Sequence, residues 1–209
     1  MVERELELFE SDSYMIRKQV FYWFYAAEFY IYSDESMENL IGFSSGWVQD
    51  ALLRERVTIY SDESRSTKLL KIKQENILDS MAVYSIADRQ TGEELGSMKR
   101  MILESVLKES WIVVDSSGNE VGTLSEDSVA SAMFRRLGRG TVLSWLAPKK
   151  YVLRMDGAPG EVTFSQKRNP VVRKWTVSGV LSSGIDPRLA VGAAILLTVL
   201  GPKNPFAAH

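Results

Sequence analysis

The sequence predicts a mainly β fold, an antiparallel barrel of about twelve strands closed around a hydrophobic C-terminal α-helix. Three observations point there. A β-rich unit with an Asp near its end and a polar reversal after it recurs five times. One further strand-like run precedes the set and another follows it. Near the C-terminus lies an uncharged segment too short to cross a bilayer.

The repeating unit begins as FYIYSDESMENLIGFSS at Phe29 and returns as VTIYSDESRSTKLLKIKQ at Val57, so SDES occurs at both 33–36 and 61–64. It recurs as AVYSIADRQTGEELGSMKR from Ala82, WIVVDSSGNEVGTLSE from Trp111 and YVLRMDGAPGEVTFSQ from Tyr151. Each unit predicts a β-hairpin. Val, Ile, Tyr, Phe and Trp suit a pleated, half-buried surface, and Asp, Ser, Asn and Gly suit the reversal. The marker acids Asp34, Asp62, Asp88, Asp115 and Asp156 therefore act as turn formers. The alternative, a ring of metal ligands, lacks the dense oxygen spacing of a calcium loop. Tyr14–Phe24 and Val171–Val177 supply the outer two strands. About twelve antiparallel strands tend to close, because closure removes exposed edges.

Between the fourth and fifth hairpins, SEDSVASAMFRRLGRG predicts an excursion. Ser125 or Asp127 caps a short helix through Arg136, and Gly138 stands near its stop. The last element is a helix over 186–200. Asp186 fits the N-cap, Pro187 the first helical position, and Gly201-Pro202 the stop. Leu189–Leu200 carries no charge, is apolar all round, and falls short of the roughly twenty residues of a membrane span. Burial inside the barrel is the favoured reading, and a membrane anchor is its competitor. The resulting organisation is an acidic N-terminal arm over 1–13, a barrel domain over 14–201, and a tail over 202–209.

Composition narrows the chemistry. The 209 residues are 45% hydrophobic and 25% charged, enough for a core without staples. There is no cysteine, which removes disulfides and thiolate metal sites and fits a reducing cytoplasm. The acidic opening MVERELELFE has no apolar stretch of signal-peptide character. His209 is the single histidine, so Ser-His and Cys-His nucleophiles and histidine metal sites are excluded by count. No P-loop or dinucleotide fingerprint follows a strand. Glu93-Glu94 falls in an expected turn, where both carboxylates are solvated. No catalytic residue, metal or cofactor is expected. An enzyme would need two distant acids to meet in a cleft.

Charge is uneven. Residues 1–13 hold five acids against Arg4, a net of −4, whereas residues 133–174 hold ten basic residues against Asp156 and Glu161, a net of +8. Such asymmetry suits an anionic partner, and its competitor is a plain solvated face. Phe21-Tyr22-Trp23-Phe24-Tyr25 suits a strand buried on both faces or an aromatic belt at a membrane. Nucleic acid is disfavoured, because the basic region lacks interleaved aromatics apart from Trp145 and Trp175.

The stretches AVYSIADRQTGEELGSMKRM, SWIVVDSSGNEVGTLSEDS, RRLGR and DPRLAVGAAILL together resemble the tubby C-terminal-like superfamily, which includes LURP-one-related proteins and phospholipid scramblases. The resemblance covers most of 14–200 and implies a twelve-stranded barrel around a C-terminal helix. It also implies binding of phosphoinositide head groups on a basic surface. Lys71-Ile72-Lys73 stands where the family has a Lys-x-Arg pair, with Lys in place of the bidentate Arg. Scramblase activity is the weaker implication, since no Pro-rich arm, palmitoylated cysteine or acidic loop before the helix is present. The expectation is a non-enzymatic, cytoplasmic or peripheral module that docks on anionic phospholipid through Lys71 and Lys73 first. Arg135, Arg136, Arg139, Lys149 and Lys150 come second. A structural or protein-interaction scaffold is the alternative, with a protein partner in place of lipid.

Overall fold

A computed structural model describes residues 7–21, 26–47, 56–75, 82–101, 110–127, 149–167 and 173–200. Twelve strands follow in chain order: β1 (Ser13–Phe21), β2 (Ala26–Tyr32), β3 (Leu40–Trp47), β4 (Arg56–Tyr60), β5 (Lys68–Gln74), β6 (Val83–Asp88), β7 (Glu94–Met101), β8 (Ser110–Val114), β9 (Glu120–Glu126), β10 (Lys150–Met155), β11 (Glu161–Lys167) and β12 (Arg173–Ser178). Helix α1 (Pro187–Leu200) ends the described chain. Each strand pairs antiparallel with its sequence neighbours, and β1 pairs with β12, closing the barrel. Ser125 lies within β9, so it pairs in the sheet and does not cap a helix. The helix expected to follow it, and Phe24 of the first predicted strand, lie outside the described residues, as do the aromatics at 22–25.

The repeat seen in the sequence is a repeat of turn chemistry. Asp34 Oδ1 accepts from Ser36 N and Oγ, and Asp62 Oδ1 accepts from Ser64 N and Oγ. Asp88 Oδ1 accepts from Gln90 N and Thr91 N, and Asp115 Oδ1 from Ser117 N and Asn119 N. These side-chain bonds supply acceptors to N–H groups that the reversing chain cannot place in a ladder. The two SDES turns share a second feature, a non-glycine residue at φ 59°, Met37 in one and Arg65 in the other.

Each of the first four hairpins also shifts register by one residue, leaving Ile41, Leu69, Leu95 and Val121 as bulges. All four are apolar, and all lie in the core or against it. The fifth hairpin pairs Arg154 with Glu161 without a shift. Bulges sharpen the local twist, which helps a sheet curl shut. Two of them are followed by a glycine the fold requires. A Cβ on Gly96, at φ 144°, would sit 2.7 Å from the Val114 carbonyl oxygen, and one on Gly122 would collide with the Arg154 carbonyl.

Alternation then sorts the side chains. Ile16, Phe29, Ile59, Leu70, Ile72, Ile86, Met98, Trp111, Leu124, Leu153, Phe164 and Val177 point inward, and each is at most 2% exposed. Helix α1 fills the space they line, with every residue from Leu189 to Thr198 buried. It is slim where it must be: a Cβ on Gly192 would meet the Ile86 side chain at 2.7 Å. No described helix is long and apolar enough to cross a membrane.

Both ends of α1 are fastened to the wall. Asp186 is the N-cap, accepting from Arg188 N at 2.8 Å, while its carbonyl accepts from Ala190 N at 3.1 Å. The Arg188 guanidinium donates to Asp186, to Asp88 at 3.0 Å and to Glu93 at 2.9 Å, tying the helix start to the β6–β7 hairpin. Glu93 is solvent-exposed, as a turn carboxylate should be, and is ion-paired with Arg188 as well. At the other end the helix has no basic residue in its last turn. Lys18 of β1, only 8% exposed, supplies that charge by donating from Nζ to the Thr198 carbonyl at 3.3 Å.

The described part of the acidic N-terminal stretch is stitched to the same end as the turns. Leu8 is fully buried, and Asp12 Oδ1 accepts from Leu181 N and Ser182 N, both at 2.9 Å. The Ser182 backbone N–H, above all, holds the Asp12 carboxyl below the usual carboxylate range.

Candidate functional site

Leu70 and Ile72 fill the barrel, so Lys71 and Lys73 stand on its outer wall. The next strand places Ala87 opposite Lys71 and Ser85 opposite Lys73, and β7 places Glu94 beside Ala87. Because the middle strand presents only small side chains there, a shallow depression of about 250 Å³ forms over β6. Lys71, Lys73, Glu75, Ser85, Ala87, Gly92 and Glu94 line it. The structure thus brings the two first-ranked lysines to one concavity, but not as a basic patch. Lys73 Nζ donates to Glu75 Oε2 at 2.8 Å, and Ser85 Oγ donates to Glu75 Oε1 at 2.7 Å. Two lysines and two glutamates leave the depression with no net charge.

The second-ranked residues divide. Lys150 Nζ is paired with Asp127 at 2.7 Å, and Lys149 Nζ donates to the Tyr151 hydroxyl at 2.9 Å. They sit at the start of β10, five strands around the barrel from β5. Arg135, Arg136 and Arg139 lie outside the described residues. Among the described residues no group of three or more His, Asp or Glu is placed to hold a metal ion.

A different cluster comes from pairing register. Lys167 of β11 stands opposite Lys174 of β12, and Lys174 opposite Arg17 of β1. Phe164, Trp175 and Ile16 mark the inward faces, so alternation turns all three cations outward. Directly opposed residues have Cα atoms roughly 5 Å apart, and like charges so placed repel. Neither Arg17 nor Lys174 has a carboxylate partner among the described residues. Lys167 alone is compensated, by Glu35 of the β2–β3 turn at 2.5 Å. Beyond Arg17 the same cross-strand row continues through Tyr30, Phe43 and Tyr60, whose rings touch in sequence. Burial, first of all, and then the hydrogen bond to Glu28 push the Tyr30 phenol well above its ordinary value, so it stays a neutral donor.

Reading along the chain missed this row. Its only trace is the pair of Arg-Lys dipeptides at 17–18 and 173–174, each inside a strand-like run. They are far apart in sequence and meet only where the barrel closes. No family model, curated protein or solved structure matches this chain.

Proposed function

We propose that the protein is a non-enzymatic, peripheral cytoplasmic module that docks on anionic phospholipid head groups through the outer wall of β11, β12 and β1. The observation that carries the reading is the Lys167–Lys174–Arg17 row, three like charges on adjacent strands with a carboxylate at one end only. Such a row is unfavourable in the free protein and is relieved by phosphate oxygens. Lys150 on the neighbouring β10 borders the same wall. The barrel around a C-terminal helix is also the architecture implied by the resemblance to tubby-like proteins, whose ligands are phosphoinositides.

The test is flotation of the full chain on phosphatidylcholine vesicles with and without anionic lipid. Binding is expected only with anionic lipid, and it weakens as salt shortens the Debye length from about 30 Å at 0.01 M to about 3 Å at 1 M. Each basic residue near such a surface contributes about 1 kcal/mol, so the double variant R17Q/K174Q loses about 2 kcal/mol, roughly thirtyfold in partition. Equal flotation of wild type and R17Q/K174Q sinks the proposal, as does equal binding to neutral vesicles.

A further inference from the structure

The depression over β6 lies six strands around the closed barrel from β12, on the opposite wall. A bilayer touching β12 cannot reach it, so whatever occupies the depression comes from solution. Its chemistry also differs from that of the basic row. Lys71 and Glu94 flank Ala87 from the two sides, one on β5 and the other on β7. Two inter-strand spacings put their Cα atoms about 10 Å apart. Neither forms a hydrogen bond or ion pair with any described residue, whereas the next lysine along β5 is fully engaged with Glu75. One free ammonium and one free carboxylate thus face each other across a floor made of Ala87, with the Lys73–Glu75–Ser85 network closing one side.

We propose that this depression binds a small soluble zwitterion, its anionic group on Lys71 and its ammonium on Glu94. An amino-alcohol phosphate is the class that fits. A lysine ammonium serves as a point charge for a tetrahedral phosphate, and a carboxylate accepts from a primary ammonium. A pure anion meets Glu94 as repulsion, and a pure cation meets Lys71 in the same way. The site therefore selects against ligands of single charge by electrostatics alone. The volume of about 250 Å³ holds a molecule of this size.

The experiment is amide NMR of the full chain titrated with phosphoethanolamine, with inorganic phosphate and ethanolamine as single-charge probes. Saturable shifts at Ser85, Ala87 and Gly92 are expected with phosphoethanolamine, and binding at least tenfold weaker with either single-charge probe. K71Q and E94Q, both surface changes that leave the core intact, each lose tenfold or more. A87W fills the floor without changing charge and abolishes the shifts. Inorganic phosphate binding as well as phosphoethanolamine, with E94Q undiminished, overturns the zwitterion assignment in favour of a plain anion site. An absence of shifts with every probe overturns the site altogether. The vesicle result with R17Q/K174Q bears on the opposite wall, so either proposal can fail while the other stands.

Discussion

Gly192→Ala tests the seat of the central helix. The added methyl would lie 2.7 Å from Ile86 Cδ1 and 3.0 Å from Cγ2, closer than carbon atoms pack. Overpacking of this kind costs about 1–3 kcal/mol. Against it stands the gain of replacing Gly within a helix, about 0.8–1 kcal/mol. The balance is a destabilisation of about 1 kcal/mol, which for a chain of this size lowers Tm by about 2–4 °C. Ile86→Val removes the nearest atom and alone costs about 0.5–1.5 kcal/mol. In that background the closest contact is gone and the one to Cγ2 at 3.0 Å remains, so the helix gain offsets the reduced strain and the net effect falls to near zero. Urea unfolding of wild type, both single variants and the double variant completes the cycle, with an unchanged m value as the check on two-state behaviour. A coupling of about 1 kcal/mol between the two sites is expected. If G192A raises stability by the whole helix-propensity gain, or the two changes add within about 0.5 kcal/mol, α1 does not rest against β6 and the interior described above is wrong.

Lys18→Met keeps the aliphatic stem but leaves the Thr198 carbonyl without its donor; a loss of about 1–3 kcal/mol in the same unfolding assay is expected, and no loss would remove Lys18 as the C-terminal fastening of α1. Asp88 is pulled both ways: burial raises its pKa, but bonds from Thr91 N, the Arg188 guanidinium and Gln90 N outweigh that and hold it below 3.8. A carboxyl lowered in the folded state stabilises above its unfolded value and loses that contribution as pH falls through the folded one. Asp88→Asn should therefore cost about 1 kcal/mol at neutral pH, with the gap to wild type closing below pH 3.8; a gap independent of pH would contradict the ion-pair account. Glu35→Ala removes the single carboxylate on the basic row, and vesicle partition should rise about fivefold, the equivalent of about 1 kcal/mol; unchanged partition would place docking elsewhere.

Hairpins and helix were legible along the chain because their causes are local. An Asp that accepts N–H groups two to four residues onward leaves its mark within five residues, and SDES carries the mark at two places. Asp186-Pro187 marks the helix start in the same way, and Leu189–Leu200, too short for a span and uniformly apolar, favoured an interior over a membrane anchor. Lys71 and Lys73 were legible as one outward face, since alternation needs no partner strand. The charge balance of the depression they line was not, because Glu94 stands on another strand, across Ala87. The bulges at Ile41, Leu69, Leu95 and Val121, the anchoring of α1 by Lys18, and the alignment of Arg17 with Lys174 all follow from register and closure. Those depend on where a distant segment settles. A single-residue slip exchanges inner and outer faces, so the burial of the whole interior selects the register, and no window of sequence contains it.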